Sequence, residues 1–266
     1  MAKIAIDCGH GRYTAGKRCM KKVDPKQTRE WVLNDRVGDS LEKYLESAGH
    51  QCLRVDDIDG STDVSLSRRV KKANEWGADF YISIHHDSGI KGGKGGGTTV
   101  FVYTKAQAKS KEAQAQIYKH AVEHAKLKGN RADGTRSANY AVLRNTNMPA
   151  CLIECGFMDS ATDIKYILDP EWSDLMGLGI AEGICAVFGG KVKTDAEKST
   201  SFKVQVKANS LNIRAGAGVD QEKVGAITDK GVYTIVQTKN VNGVLWGKLK
   251  SGAGWISLHE RYVERV

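Results

Sequence analysis

The stretch KIAIDCGHG, residues 3–11, begins as a short apolar run and ends on a histidine between two glycines. A short apolar run bounded by glycine predicts a buried strand followed by a turn. Strands of the same kind are predicted for QCLRVDD, DFYISIHHD, TTVFVYT and ACLIECGF. Helical spacing of apolar residues is found between them in TREWVLNDRVGDSLEKYLESAG, VSLSRRVKKANEWG and KSKEAQAQIYKHAVEHAKL. This alternation predicts an α/β fold, with a twisted, mostly parallel sheet and flanking helices.

The sequence changes character near residue 190. The segment GGKVKTDAEKSTS, residues 189–201, is rich in glycine, lysine, serine and threonine, which is typical of a linker. After it come short β-type runs broken by glycine and asparagine, a pattern that predicts a small all-β barrel. We therefore expect an α/β domain over residues 1–190, a linker over 191–201 and a β domain over 202–266.

The composition is that of an ordinary globular protein, with 41% hydrophobic and 27% charged residues among 266. No apolar run approaches the roughly 18–20 residues of a membrane span, so we expect no membrane insertion. The N-terminus lacks the pattern of a signal peptide, which predicts synthesis in the cytoplasm without one. Any action outside the cell would then follow release by another route.

The net charge of +9 is concentrated toward the C-terminus. Residues 202–266 hold ten lysines and arginines against five aspartates and glutamates, a net charge of +5. A basic surface of this kind favours a polyanion, which on charge alone includes nucleic acid, anionic lipid and anionic cell-wall polymers.

Four polar residues lie at predicted strand ends or at a helix start: His10, Glu30, His85 and Glu154. Two imidazoles and one carboxylate form a common ligand set for catalytic zinc, and a further carboxylate can exchange protons with the attacking water. Simpler roles exist for the first three, as a turn residue, a partner of the helix dipole and a buried histidine. Glu154 is harder to explain, because an unpaired carboxylate in an apolar strand costs on the order of several kcal/mol.

Taken together, IDCGHG, EWVLN, ISIHHDS and PACLIECGFMD resemble the zinc-dependent N-acetylmuramoyl-L-alanine amidases of the type-3 class. That family includes bacterial wall-remodelling enzymes and many bacteriophage endolysins. The resemblance covers residues 1–190, with the four motifs in the family's order. It implies hydrolysis of the amide bond between N-acetylmuramic acid and the L-alanine of the peptidoglycan stem peptide.

Motif by motif, the resemblance implies that one Zn²⁺ is bound by His10, Glu30 and His85, and that Glu154 is the catalytic acid/base. The glycines on either side of His10 would let the strand end bend this side chain toward the metal. Strand alternation would direct His86 to the opposite face of the sheet.

The resemblance also extends to the surroundings of the expected site. Leu143 and Arg144 lie in a stretch that flanks the site in the family, so we expect them to contact the stem peptide. The glycine-rich loop, residues 89–98, is expected either to form a mobile rim of the cleft or to be a plain connector. Residues 157–160, FMDS, depart from the more frequent family ending after the catalytic strand.

The C-terminal segments LNIRAGAG, GVYTIV and LWGKLKSGAGWISL resemble a bacterial SH3-type module. Such modules commonly bind cell-wall peptidoglycan or associated polymers. The simplest reading of its larger aromatic residues is the barrel core, while three basic residues are expected to face solvent and an anionic wall. The aromatic residues are Tyr233, Trp246, Trp255 and Tyr262, and the basic ones are Arg214, Lys248 and Lys250.

Three functions follow from these features. The first is a peptidoglycan amidase, either a phage endolysin or a host autolytic or sporulation enzyme. The second is a zinc peptidase that cuts the stem peptide itself, because it can use the same ligand types. The third, a nucleic-acid binder, is disfavoured because the C-terminal aromatic residues sit at β-core intervals rather than among exposed basic residues.

Overall fold

The computed structural model of the chain describes residues 1–130, 134–194, 201–241 and 244–266. Within these residues the chain folds into two compact units, Met1–Val192 and Lys193–Val266. Residues 195–200 of the predicted linker 191–201 lie outside the described residues.

The first unit is built from alternating strands and helices. Its strands are β1 (Lys3–Cys8), β2 (Gln51–Arg54), β3 (Phe80–Asp87), β4 (Thr99–Tyr103), β5 (Thr135–Ala138) and β6 (Ala150–Phe157). Its helices are α1 (Glu30–Ser47), α2 (Leu66–Trp76), α3 (Ala108–Ala125), α4 (Ala141–Arg144), α5 (Ile164–Ile167) and α6 (Pro170–Phe188). The α/β prediction is thus confirmed for this part of the chain.

The strands form one sheet in the order β2-β1-β3-β6-β4-β5. Parallel pairs join β1 to β2, β1 to β3, β3 to β6 and β4 to β5, whereas β4 runs antiparallel to β6. The sheet is therefore mixed. The reversal follows from the connection between β3 and β4, which contains a loop and no crossover helix, so the chain does not return to the edge where β3 began.

Side chains of the sheet alternate between two apolar layers. Ile4, Ile82 and Ile153 belong to a core cluster that also contains residues of α1, α3 and α6. Their neighbours Ala5 and Tyr81 belong to a second cluster, which includes residues of α2 and α4. The sheet is thus covered on both faces, and its carboxyl edge is left as the place where polar side chains can gather.

Helix α6 is largely apolar because it packs against both α1 and α3. Two of its glycines make the close approach to α3 possible. A Cβ atom at Gly183 would lie 2.5 Å from Cα of Ile117, and one at Gly179 would lie 2.6 Å from the carbonyl oxygen of His120. Among the described residues, no helix combines the length and apolar character needed to cross a membrane.

The second unit is a seven-stranded sheet in the order β13-β7-β10-β11-β12-β8-β9, and all its pairings are antiparallel. Its strands are β7 (Phe202–Val206), β8 (Leu211–Arg214), β9 (Lys223–Ile227), β10 (Val232–Val241), β11 (Val244–Leu249), β12 (Trp255–Ser257) and β13 (Val263–Arg265). The all-β prediction is confirmed for the described residues.

The aromatic residues of the second unit have different environments. Tyr233 and Tyr262 pack against its apolar cluster at partial exposure. Trp246 is buried with 4% of its surface exposed, and Trp255 is half-buried. Of the three basic residues expected at the surface, Lys250 is exposed, whereas Arg214 and Lys248 are half-buried.

We predict that Gly183→Ala destabilises the protein, although alanine is normally the better helix former. The added methyl group must displace the backbone of Ile117, and overpacking of this kind costs about 1–3 kcal/mol. The free energy of unfolding in urea tests this expectation. Lys111→Ala, at an exposed position of α3, is the matched control and should change that free energy by less than about 0.5 kcal/mol. A Gly183→Ala protein as stable as the wild type would contradict the packing described here.

Candidate active site

The turn after β1 has an unusual backbone. His10 adopts a left-handed conformation with φ of 69°, which is uncommon for a residue other than glycine. Gly9 does not bend the chain in this way. Instead, a Cβ atom at Gly9 would lie 2.1 Å from Cε1 of His85, so the glycine leaves the space that the imidazole ring of His85 occupies. For Gly9 the expected role is thus corrected: the left-handed turn is made by His10, and Gly9 leaves room for the ring of His85.

A buried arginine on α2 holds this turn in place. Arg69 donates hydrogen bonds to Oδ1 of Asp7 at 2.6 Å, to the carbonyl of Cys8 at 2.7 Å and to that of His10 at 2.8 Å. The hydroxyl of Ser83 donates to the other carboxylate oxygen of Asp7 at 2.7 Å. Burial alone would raise the pKa of Asp7, but the charge of Arg69 and these hydrogen bonds keep it below its ordinary value.

Glu30, the first residue of α1, lies between the two histidines. Its Oε1 atom is 3.1 Å from Nδ1 of His85 and 3.3 Å from Nε2 of His10. The Glu30 side chain is 1% exposed, and the two imidazoles are 19% and 18% exposed. Burial opposes ionisation of Glu30, yet the neighbouring imidazoles hold its pKa well below the ordinary value.

The donor set of this cluster suits a zinc ion. Each of His10, Glu30 and His85 offers one ligand atom, and these atoms lie within 4.8 Å of one another. Ligands at about 2.0–2.1 Å from a tetrahedral zinc ion are about 3.3 Å apart, close to the two short distances observed. Nε2 of His10 and Oε2 of Glu30 are buried without a hydrogen-bond partner. Polar atoms are rarely left in that state unless a ligand satisfies them, so the residues fit a metal site.

Glu154 lies on β6 directly beside His85. The two residues are register partners in the parallel pair of β3 and β6, so their side chains project to the same face of the sheet. Oε2 of Glu154 is buried and has no hydrogen-bond partner. Burial, only partly offset by the charge of His85, raises the pKa of Glu154 to about 8. A carboxyl group in this environment is suited to exchange a proton near neutral pH.

His86 points to the opposite face of the sheet from His85. Its Nδ1 atom lies 2.8 Å from Oδ1 of Asn34, and burial lowers its pKa to about 3. Asn34 in turn donates from Nδ2 to the carbonyl of Gly9 at 3.0 Å. Asn34 therefore connects α1 to the turn that carries His10. The sequence analysis did not predict this role for Asn34, although its place four residues after Glu30, on the same face of the helix, could have indicated it.

The two residues expected to contact substrate have different positions. Leu143 is 5% exposed and belongs to the core cluster beneath α4. Arg144 is exposed, and its guanidinium donates to the side-chain oxygen of Asn139. Only Arg144 of this pair presents its side chain to solvent.

The glycine-rich loop is tied to the segment after β6. Oδ2 of Asp159 accepts from the backbone nitrogens of Gly89 at 2.8 Å and Lys91 at 2.7 Å. Oδ2 of Asp163 accepts from the nitrogen of Gly97 at 2.7 Å. The aspartate in FMDS, which departs from the family ending, thus anchors this loop. Sequence reasoning missed that contact, because nothing in either segment indicates that they meet.

Comparison with known proteins places the fold and this site in context. A family profile described as N-acetylmuramoyl-L-alanine amidase matches residues 4–186. The sporulation-specific N-acetylmuramoyl-L-alanine amidase of Bacillus subtilis (strain 168) is 31% identical over 223 residues, which are 82% of each chain. The endolysin of Bacillus phage SPP1 is 28% identical over 278 residues, covering 99% of this chain and 98% of its own. The crystal structure of an N-acetylmuramoyl-L-alanine amidase from Clostridium difficile 630 superposes with a TM-score of 0.63 at 29% identity, covering 71% of this chain and 98% of that one.

We predict that Arg69→Met destabilises the protein by about 3–5 kcal/mol, because it leaves the carboxylate of Asp7 buried without its charged partner. The free energy of unfolding in urea measures the effect. Arg68→Met is the matched control, since Arg68 is exposed on the same helix and its loss should cost less than about 0.5 kcal/mol. Equal stability of the two variants would contradict the structural role of Arg69.

Proposed function

The chain belongs to the N-acetylmuramoyl-L-alanine amidase family, whose members act on peptidoglycan, and we propose that His10, Glu30 and His85 hold its zinc ion while Glu154 is its acid/base. The family supplies the reaction.

One observation carries the proposal. Two imidazoles and a carboxylate converge at the carboxyl edge of the sheet, and Nε2 of His10 and Oε2 of Glu30 are buried there without a hydrogen-bond partner. A second carboxylate oxygen that is buried without a hydrogen-bond partner belongs to Glu154, on the adjacent strand in register with His85. Three protein ligands beside a free carboxylate are the arrangement that zinc-dependent hydrolysis uses.

The chemistry assigns Glu154 two successive roles. A bound zinc ion would supply Lewis-acid polarisation and a lowered pKa for water. The carboxylate of Glu154 accepts a proton from the attacking water as the new carbon–oxygen bond forms at the lactyl carbonyl of the muramic acid. The same group then donates this proton to the alanine nitrogen as the carbon–nitrogen bond breaks. Burial raises the pKa of Glu154 to about 8, so the carboxyl group can be ionised for the first step and protonated for the second near neutral pH.

The alternative of a stem-peptide peptidase is disfavoured by the comparisons. The matching family profile and the sporulation relative are both described as N-acetylmuramoyl-L-alanine amidases. In the amidase reaction the new amino terminus is that of L-alanine, whereas a peptidase would free amino groups further along the stem peptide.

For the second unit we propose an SH3-type module that binds the cell wall. Its small antiparallel sheet and its net charge of +5 over residues 202–266 suit contact with anionic wall polymers. A cavity of about 350 Å³ lies on this unit, with walls that combine aromatic, amide and basic side chains. Among them are Asn212, Arg214, Trp246 and Tyr262. Such mixed walls suit an amide-rich sugar or peptide ligand.

We further propose that the protein is an endolysin, acting on the wall after release from the cytoplasm. The similarity to the SPP1 endolysin extends over 99% of this chain, whereas that to the sporulation amidase extends over 82%. The broader match supports an enzyme in which both units serve one lytic function.

We predict that Glu154→Gln reduces amidase activity by about 10²–10⁴-fold, because the amide can neither accept nor donate the required proton. Activity is measured as new N-terminal alanine released from purified walls, and zinc content is measured on the same samples. The variant should keep its zinc, since Glu154 is not a proposed ligand. Glu46→Gln, at an exposed position of α1, is the matched control and should retain full activity. Release of alanine by Glu154→Gln at a rate near wild type would exclude the assigned role.

We predict that deleting residues 193–266 weakens binding to intact walls more than it slows the reaction itself. The deletion leaves the first compact unit, Met1–Val192, with its complete candidate site. Binding is measured by co-sedimentation with walls, in the Glu154→Gln background so that the walls stay intact. Hydrolysis is measured with the active forms on a small soluble muropeptide. Unchanged co-sedimentation after the deletion would refute a wall-binding role for the second unit.

A further inference from the structure

A second group of metal-ligating side chains lies on the helical layer of the first unit, between α3 and α6. His120 and His124 come from α3, and Glu182 comes from α6. Oε2 of Glu182 is 2.7 Å from Nε2 of His124 and 3.3 Å from Nδ1 of His120. The three potential ligand atoms all lie within 4.8 Å of one another. At the candidate active site the corresponding distances from Glu30 to the two histidines are 3.1 and 3.3 Å.

The helices bring these residues together for a simple geometric reason. Residues four apart on a helix lie on the same face one turn from each other, so both imidazoles project from one side of α3. Gly179 and Gly183 allow α6 to approach α3 until a Cβ atom would touch its backbone. Glu182, beside Gly183, is thereby placed between the two rings.

The cluster has three features that suit a metal site. One carboxylate oxygen of Glu182 approaches both imidazoles, at hydrogen-bond distance from His124 and at ion-pair distance from His120. Nδ1 of His120 is buried and has no hydrogen-bond partner. The side chains of His120, His124 and Glu182 are 23%, 27% and 33% exposed, so the cluster lies near the surface of the helical layer.

We propose that His120, His124 and Glu182 form a second binding site for a divalent transition metal, best matched by Zn²⁺, that crosslinks α3 to α6. Two imidazoles with one carboxylate suit borderline metals such as zinc and do not suit Ca²⁺ or Mg²⁺, which prefer oxygen ligands. A metal entering the site displaces the proton shared between Nε2 of His124 and Glu182. Because the ligands come from two helices, binding stabilises their packing in the folded state.

The test counts zinc ions on the full-length protein. Metal-free protein is dialysed to equilibrium against buffered Zn²⁺, and bound zinc is measured by atomic emission for four forms. These are the wild type, His120→Gln/His124→Gln, His85→Ala, and His259→Gln as a matched control that removes an exposed histidine of the second unit.

The double variant should bind one equivalent less zinc than the wild type, and His259→Gln should bind the same amount as the wild type. Replacing Zn²⁺ by Ca²⁺ should give no bound equivalent at this site. Equal zinc content in the double variant and the wild type would overturn the proposal. The His85→Ala protein separates this result from the active-site assignment, because its own loss or retention of one equivalent concerns the other cluster alone.

A thermal-unfolding measurement adds a readout independent of stoichiometry. In the His85→Ala background, zinc at about a hundredfold above its dissociation constant should raise Tm by about 5–10 °C. The shift should vanish when His120→Gln/His124→Gln is added. A shift that persists in this combined variant would also contradict the crosslink.

Discussion

The hydrogen bonds of Arg69 to the turn after β1 are the constraint on which the candidate site depends. A left-handed conformation at His10 is costly, and it persists only where surrounding structure holds it. Arg69 stabilises it by donating hydrogen bonds to the carbonyls of Cys8 and His10 and to the carboxylate of Asp7. The charges of Arg69 and Asp7 compensate each other in the protein interior, and this buried ion pair fixes the turn.

From this turn the parallel order of the central strands assembles the remaining groups. Because β3 lies between β1 and β6, His85 has Gly9 on one side and Glu154 on the other. Because Gly9 has no side chain, the imidazole ring of His85 fits beside it, and Glu30 at the start of α1 contacts the same ring. Four sequence segments far apart in the chain thus meet at one edge of the sheet, as strand ends in α/β folds commonly do.

Much of the fold could be predicted from sequence, because apolar periodicity is a local signal. His10, Glu30, His85 and Glu154 could be selected as polar residues at strand ends and a helix start, while their proposed roles came from the family resemblance. The residues that hold these side chains and loops in place could not be predicted from the sequence. Arg69 lies in SRRVKK, which has the appearance of a solvated basic helix face, and only the folded structure shows that this side chain is buried. In the sequence Asp159 has the character of an ordinary turn residue, and only the structure shows that its carboxylate accepts a hydrogen bond from the backbone of the glycine-rich loop. The antiparallel direction of β4 likewise depends on a missing crossover helix and not on its own sequence.

The central claim is that His10, Glu30 and His85 bind zinc at the carboxyl edge of the sheet. Anomalous X-ray diffraction from zinc-loaded crystals, recorded on both sides of the zinc absorption edge, tests it most directly. The account predicts an anomalous peak within about 2.0–2.2 Å of one atom from each of the three residues. Zinc-loaded crystals with no peak among these three side chains would contradict it.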